Sequence, residues 1–352
     1  MTPHEVAELL RTRWQQRATT SDAVWPQVSW YEVCSTGVTS WMIPKEYGGT
    51  SLSPHELLTN SVELARGDLL TTFILSQFQA ACQRIAAADS PPLRQQWLPG
   101  LATGEWFATV GISHLTTSRQ YAAQPAVTAK VTSAGYVLSG EVPWVTGGSH
   151  ADVLVIGGTL DDGRQILAAV PTDREGVTCA DSMSLLALSG SETGPVVLTD
   201  VLVAEDELIA GPIVDVIRHV STGGAGSLTT SALAIGHAWA GLDFLSDEAA
   251  QRPALEPIAT ALMSEVKSLR ADLLQAAESS GLYASPEQLR TRATDLALRT
   301  SQALLTASKG AGFVVGHSAE RLSREALFFL VWSCPQAVAN QLLHNFGGCE
   351  NG

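Results

Sequence analysis

The sequence contains few charged residues and, among those, few basic ones. Only 16% of its 352 residues are charged, and 21 basic residues stand against 35 acidic ones, which gives a formal net charge of −14. Binding to nucleic acid depends on a basic face that neutralises phosphate groups. The composition therefore argues against a nucleic-acid partner.

Cysteine is also sparse, and no two cysteines have the Cys-x-x-Cys spacing of a zinc or redox site. The five cysteines are Cys34, Cys82, Cys179, Cys334 and Cys349. Their odd number and wide scatter predict reduced thiols in a cytoplasmic protein, with no disulfide framework and no metal site. A chain of 352 residues can bury a core without such crosslinks.

Long apolar runs are missing as well. The N-terminal segment MTPHEVAELLRTRWQQR is amphipathic and lacks the apolar core of a signal peptide. The most apolar stretch, residues 231–245, is interrupted by His237 and Asp243 and is shorter than the ~20 residues that span a bilayer. We therefore expect a soluble protein without a membrane span, built from about two or three domains at roughly 150 residues each.

The sequence does contain an ordered change of pattern along the chain. Up to residue 105 apolar residues recur at helical spacing, as in SPHELLTNSVELARGD, where Ser53 and Glu56 fit a capping box. From 106 to 215 short β-branched runs such as ADVLVIGGTL alternate with turn signals. From 216 to 352 the chain is again helical and rich in alanine and leucine. These patterns predict an α+β fold with an N-terminal helical domain (1–105), a middle antiparallel β-barrel domain (106–215) and a C-terminal helical bundle (216–352).

Two segments carry a more specific pattern. IPKEYGG, at 43–49, has the form Pro-x-x-x-Gly-Gly, and GYVLSGEVPWVTGGSHADVLVI, at 135–156, has the form Gly-Tyr-x-Leu-x-Gly-x-x-x-Trp-x-Thr-x-x-x-x-Ala-Asp. Both segments, and the domain order, resemble the acyl-CoA dehydrogenase family. The resemblance implies an oxidoreductase with FAD as cofactor, a C-terminal four-helix bundle, a small-molecule substrate such as an acyl-CoA, and a homodimer or homotetramer.

The resemblance also implies which residues contact the flavin in the β-domain. Trp144 and Thr146 match residues that lie against the flavin ring, where an aromatic side chain excludes water and a donor tunes the ring; in another context Trp144 would be a core or hairpin residue. GISHLTTSR, at 111–119, takes the place of a Thr-Glu-Pro-x-x-Gly-Ser strand, so Ser113 is expected to contact the flavin through its hydroxyl. His114 replaces the Glu, and the Gly-Ser pair that helps bind the CoA phosphate is absent.

Two motifs in the C-terminal part imply further FAD contacts. Arg252 matches an arginine that reaches the FAD pyrophosphate of a neighbouring subunit, although a helix-end arginine is also commonly solvated. KGAGF, Lys309–Phe313, resembles Gly-Gly-x-Gly-Tyr, so Gly310 and Gly312 are expected to let the backbone approach the cofactor. Helix packing explains small residues at these positions equally well. Lys309 replaces the first Gly and would either neutralise a phosphate or point to solvent.

The catalytic base of the family is not found at its usual position. ERLSREALFFLVWSCPQAV, at 320–338, resembles Arg-Asp-Ala followed by Ile-Tyr-Glu-Gly-Thr, and Ser333 stands where the Glu is expected. An alternative base position, on the stretch 222–237, contains no acidic residue. A general base contributes about two to four orders of magnitude to rate. Neither Ser333 nor Cys334 has a basic sequence neighbour to activate it. The base is therefore not identified from the sequence, and His114 is one candidate.

Three functions therefore remain open. The first is an FAD-dependent dehydrogenase that acts on CH–CH bonds of an acyl-CoA-like substrate. The second is a flavin-dependent monooxygenase or oxidase on the same fold, which needs no base for an α-proton. The third is a non-catalytic flavin-binding paralogue, or an empty scaffold. His114 is either an active-site group that titrates near neutrality or a satisfied histidine at a domain boundary. A serine hydrolase is disfavoured, because the sequence has no Gly-x-Ser-x-Gly elbow.

Overall fold

The computed structural model of the protein describes residues 1–18, 23–116, 124–220, 225–278 and 284–348. Its first part is helical. The helices are α1 (Pro3–Ala18), α2 (Gln27–Ser35), α3 (Pro54–Gly67), α4 (Leu69–Ala86) and α5 (Pro91–Thr103). The predicted capping box is confirmed: the amide of Glu56 donates to Ser53 Oγ at 3.3 Å, and the amide of Ser53 donates to the Glu56 carboxylate at 2.8 Å. This box fixes the start of α3.

The middle part is a sheet of eight strands with the order β6-β7-β3-β2-β4-β5-β8, and β1 pairs with β4. The elements are β1 (Ala108–Gly111), the short helix α6 (Ser113–Thr116), β2 (Val127–Thr132), β3 (Gly135–Val145), β4 (Val153–Thr159), β5 (Gln165–Pro171), β6 (Val177–Cys179), β7 (Gly194–Val203) and β8 (Leu208–Ile213). Strand β4 is buried along nearly all its length, and helix α4 packs on it.

The sheet is mainly antiparallel, as predicted, but two pairings differ. Strands β1 and β2 both pair with β4 in parallel. Parallel neighbours require a long crossover, and here the chain from β1 to β4 passes through the β2–β3 hairpin. Among the described strands the pairing path ends at β6 and β8, so backbone pairing leaves the predicted barrel open.

The last part is helical again. It contains α7 (Val216–His219), α8 (Ala225–Gln251), α9 (Glu256–Glu278), α10 (Pro286–Ser308), α11 (Ser318–Leu327) and α12 (Gln336–Gly347). The long helix α8 packs against α9 and α10 and also against α3 of the first part. At the α3 contact a Cβ on Gly236 would lie 2.3 Å from the Val62 carbonyl oxygen, so only glycine permits this approach. The predicted helical–β–helical order is confirmed.

The element bounds suggest where domains divide. The first group of helices ends at Thr103, strands run from Ala108 to Ile213, and helix begins again at Val216. We propose domain limits at residues 105 and 215 on this basis.

None of the helices in the described ranges has both the length and the apolar content needed to cross a membrane.

Candidate functional site

The end of β1 and the end of β3 meet, and this brings two predicted motifs together. A Cβ on Gly111 would lie 2.8 Å from Val142 Cγ1 and 3.0 Å from Val145 Cγ2, so the absence of a side chain lets β1 lie against β3. Helix α6, which follows β1, packs on β3. The helix that contains Ser113 and His114 therefore lies beside β3, the strand that contains Trp144.

Trp144 presents an open aromatic face. Strand β3 has a bulge between Val142 and Val145 in its pairing with β7. The two valines are 0% and 1% exposed, whereas Trp144 between them is 47% exposed. The side chain thus points away from the core, and a planar ligand can lie on it. The predicted alternative of a core tryptophan does not fit this exposure.

Thr146 begins a short chain of buried hydroxyl groups. Its Oγ1 lies 3.0 Å from Thr193 Oγ1, which in turn lies 2.8 Å from Ser191 Oγ. All three side chains are buried. Three hydroxyls carry three hydrogens, and these two contacts use two of them. One of the three hydrogens is therefore not used by these two contacts.

The turn after Thr146 carries a residue that the sequence motifs did not single out. His150 stacks on Trp25 with ring centroids 4.0 Å apart, and its Nε2 lies 2.8 Å from Glu192 Oε2. Gly147 in the same turn has φ of 62° and lies so close to Trp25 that a Cβ would meet the indole at 2.8 Å. The signal in the sequence was the Gly-Gly-Ser-His turn directly after the Trp-x-Thr motif.

His114 is buried in its neutral form. Its Nε2 lies 3.0 Å from the Gly157 carbonyl oxygen, and since a carbonyl only accepts, Nε2 carries the hydrogen. Nδ1 then has a bare lone pair, and it has no hydrogen-bond partner among the described residues. Burial lowers the pKa of His114, and the hydrogen bond to Gly157 opposes that effect. The imidazole of His114 is therefore a weak proton acceptor at neutral pH. Residues 117–123, which follow α6, lie outside the described ranges.

The expected base position lies beside an aromatic cluster. Ser333 is exposed and has a left-handed φ of 43°. The preceding Trp332 stacks on Phe328 at 5.1 Å, and Phe73 of α4 meets both rings edge-on at 4.8 and 5.0 Å. No carboxylate stands in the segment 328–335.

One buried cation organises this segment. Arg290 of α10 donates to the carbonyl oxygens of Phe329 at 2.8 Å, Trp332 at 3.0 Å and Thr230 at 3.4 Å. Burial lowers the pKa of Arg290 to about 10, so it is still charged at neutral pH. Burial raises the pKa of the Cys334 thiol, although Arg290 acts in the opposite direction. Cys334 therefore stays protonated and is a poor base. Sequence reasoning missed Arg290.

The C-terminal motifs form a second group. Arg252 pairs with Glu248 and donates to the Ala307 carbonyl oxygen at 2.7 Å. Ala307 precedes the Lys309–Phe313 segment, so Arg252 and the two glycines come together. A Cβ on Gly312 would meet Ser308 Cβ at 2.6 Å, whereas the same atom on Gly310 would find open space. Gly312 is thus needed for helix packing, and Gly310 leaves its backbone accessible.

Several sequence predictions stay predictions. These are the flavin contacts of Ser113, Trp144, Thr146, Arg252, Gly310 and Gly312, and a catalytic role for His114. Of the alternative base stretch 222–237, residues 222–224 lie outside the described ranges, as does Cys349. Within the described residues, no three His, Cys, Asp or Glu side chains are grouped as a metal site would require.

Two buried histidines make stability depend on pH. Burial lowers the pKa of His114 and of His237 in α8. The unfolded chain therefore takes up protons near pH 6.5 that the folded chain does not, so stability is complete above that pH and falls as the pH drops below it. We expect a slope of up to ~1.4 kcal/mol per pH unit for each histidine, measured by urea unfolding from pH 7.5 to 5.5. A flat profile, or the same slope in a His114→Asn/His237→Asn variant, would contradict this.

Comparison with known proteins adds two kinds of similarity. The family model of the acyl-CoA dehydrogenase N-terminal domain matches residues 1–105. A probable acyl-CoA dehydrogenase of Bacillus subtilis (strain 168) is 25% identical over 329 residues, which cover 86% of this chain and 84% of that protein.

Solved structures share the fold along the whole chain. Butyryl-CoA dehydrogenase from Megasphaera elsdenii has a TM-score of 0.82 at 17% identity, over 98% of this chain and 96% of that one. Dibenzothiophene monooxygenase from Paenibacillus sp. A11-2 has a TM-score of 0.79 at 19% identity, over 99% and 97%. At such identities the likeness establishes the architecture alone. Together with the N-terminal model and the Bacillus relative, it supports membership of the chain in the acyl-CoA dehydrogenase family.

Proposed function

We propose that the protein is an FAD-dependent oxidoreductase whose flavin ring lies on Trp144. The observation that carries this proposal is an open indole face at Trp144, two residues before a buried chain of hydroxyl groups that starts at Thr146. A flavin needs both an apolar, planar neighbour and a donor at its ring edge. A solved form of the similar dibenzothiophene monooxygenase contains FMN, which supports a flavin on this fold.

The residues of the site fit that cofactor. When bound, FAD would accept an electron pair from the substrate. Trp144 would cover one face of the ring and exclude water, and the hydroxyl chain that includes Thr146 would donate to its edge. Ser113 would contact the pyrimidine edge, since α6 lies against β3. Arg252 would contact the FAD pyrophosphate of a neighbouring subunit, and the accessible backbone at Gly310 would lie close to the cofactor.

The first candidate reaction is oxidation of a CH–CH bond in an acyl-CoA-like substrate. Its α-proton needs an acceptor, and Ser333 is not one at neutral pH. His114 Nδ1 is a bare acceptor within the same β-domain site, so it is the group we assign to this role.

The second candidate is a flavin-dependent monooxygenase or oxidase. The segment 328–335 has no carboxylate and presents the stacked rings of Phe328 and Trp332, which suit a planar organic substrate better than an acyl thioester. The similarity to dibenzothiophene monooxygenase also favours this reaction.

One spectroscopic experiment separates these reactions. The purified protein should be yellow, with flavin absorbance. Reduction by a substrate under anaerobic conditions, with no NAD(P)H or other reductant added, would indicate a dehydrogenase or an oxidase, and oxygen consumption then identifies the oxidase. Consumption of oxygen and substrate only with externally reduced flavin would indicate a monooxygenase. A colourless protein that does not take up added FAD would overturn the proposal in favour of an empty scaffold.

Replacing Trp144 tests the ring contact. We expect Trp144→Ala to weaken FAD binding by roughly tenfold in Kd, because an aromatic stack contributes about 0.5–1.5 kcal/mol beyond its buried area. Equilibrium titration with FAD measures this. Leu202→Ala is the matched control, since Leu202 lies in the same sheet and is 45% exposed. Equal FAD affinity in both variants and in the native protein would contradict the assignment.

We also propose a homodimer or homotetramer. Phe313, Val314 and Val315 are 81%, 62% and 86% exposed, and they follow directly on the segment beside Arg252. Burial against a second copy would remove this apolar area from water. Light scattering at micromolar concentration should show at least a dimer, and Phe313→Asp should shift it toward monomer. Val131→Asp, at an exposed site on β2, is the control; a monomeric native protein would contradict the proposal.

A cytoplasmic location stays a prediction from the sequence.

A further inference from the structure

A cluster of buried charged groups lies away from the proposed flavin contacts, where α1, α3, α8 and α11 meet. Its centre is formed by His237 of α8 with Arg321 and Glu325 of α11, whose side chains are 1%, 2% and 3% exposed. Buried charges are costly unless each is paired and hydrogen-bonded. The hydrogen bonds of this cluster therefore have to be accounted for atom by atom.

The histidine has a fixed tautomer. His237 Nε2 lies 2.9 Å from the Leu322 carbonyl oxygen, so Nε2 carries a hydrogen. Burial lowers the pKa of His237, and Glu325 and the Leu322 carbonyl oppose that effect. In the neutral ring Nδ1 is then a bare acceptor.

The carboxylate is only half satisfied. Glu325 Oε1 accepts from Arg321 Nε at 2.8 Å. Arg321 also donates to the Trp14 carbonyl oxygen at 3.1 Å and lies 4.7 Å from the indole ring of that residue. Glu325 Oε2 lies 3.7 Å from His237 Nδ1, which is too long for a direct hydrogen bond. His237 Nδ1 and Glu325 Oε2 both have no hydrogen-bond partner among the described protein atoms.

Two acceptors thus face each other across a small cavity. Its wall includes both side chains together with Arg11, Trp14, Arg66 and Phe244, and it has room for about one water molecule. Arg11 and Arg66 both bind Asp243, and Arg66 also lies near Glu63, so these cations are already neutralised. None of these cations donates to His237 Nδ1 or to Glu325 Oε2, so both acceptors are without a donor among the described protein atoms.

We propose that this cavity is a binding site for one small neutral molecule with two donors, a water molecule in the native protein. It donates one hydrogen to His237 Nδ1 and the other to Glu325 Oε2. The bridge connects α8 to α11, and Arg321 extends the connection to α1. Because the ring of His237 also lies 5.8 Å from that of Phe329, the bridge supports the start of the segment that leads to Ser333.

A crystal structure of the native protein at pH 7.5, with nitrogen NMR of its histidines, tests this. We expect a density peak within hydrogen-bond distance of both atoms and an NMR signal that shows an unprotonated Nδ1 in His237. Absence of the peak overturns the proposal. A protonated Nδ1 also overturns it, because the pair would then share a proton directly.

Variants give an independent test. In Glu325→Gln the amide nitrogen can donate to Nδ1 itself while the amide oxygen still accepts from Arg321. We expect the peak to be lost in this variant and in His237→Met, which removes one acceptor. His344→Asn, an exposed histidine on α12, is the control and should keep the peak. A peak that persists in His237→Met would contradict the bridge; the native crystal structure decides the question if either variant fails to fold.

Discussion

Anaerobic mixing of the flavin-loaded protein with short- to long-chain acyl-CoA thioesters is expected to leave the flavin oxidised, or to reduce it about two to four orders of magnitude more slowly than a carboxylate base would allow. That loss corresponds to roughly 3–5 kcal/mol in the barrier. The reason is that Ser333 stands where the family resemblance places the base, and Cys334 beside it has a pKa raised by burial.

A gain-of-function variant sharpens this test. Ser333 is exposed, and the ring of Trp332 beside it packs on Phe73 and Phe328, so a longer side chain at residue 333 has room. Ser333→Glu should therefore restore part of the flavin reduction. Ser333→Gln is the matched control, with the same size and no base. Stopped-flow absorbance follows the flavin in each case. Rapid bleaching of the native protein by an acyl-CoA would refute the prediction, and His114 would then be the first residue to replace.

Replacing Arg321 by Met is expected to lower the free energy of unfolding by about 3–5 kcal/mol, because it leaves the buried Glu325 without its cation. Arg299→Met is the control, since Arg299 pairs with Glu265 and Asp295 at a surface where its side chain is 42% exposed. Such exposed pairs contribute about 0.2–1 kcal/mol. Urea unfolding at pH 7.5 measures both.

The double variant Arg321→Met/Glu325→Leu tests whether the unpaired carboxylate of Glu325 causes that loss of stability. If the cost comes from an unpaired buried carboxylate, removal of the carboxylate should recover much of the stability. A single Arg321→Met variant within 1 kcal/mol of the native protein would contradict the prediction, as would a double variant that is no more stable than the single one.

Features that depend on neighbouring residues could be predicted from the sequence. The capping box at Ser53 and Glu56 is one example, since its two partners lie within one helical turn. The nearness of Trp144 and Thr146 is another, because Trp144 lies at the end of β3 and Thr146 follows directly after that strand. The same local reasoning identified the order of helices and strands.

Features that depend on distant pairing could not be predicted. Thr193 reaches Thr146 only through the register of β3 and β7, which a bulge shifts. His237 and Glu325 meet because α8 and α11 pack together, and nothing near either residue in the sequence indicates the other. The parallel pairings of β4 were also missed, because alternation of apolar residues reports which face is buried and not the direction of the neighbouring strand.

The contacts of Arg290 have a consequence for how this part of the protein can evolve. The guanidinium holds the segment after α11 by its carbonyl oxygens, at Phe329 and Trp332, and every amino acid supplies such an oxygen. Side chains further along the segment can therefore be exchanged by mutation without altering the path of the main chain. A family member that keeps this cation can lose or regain an acidic group at residue 333 by mutation of one codon, and so acquire a different chemistry on an unchanged scaffold.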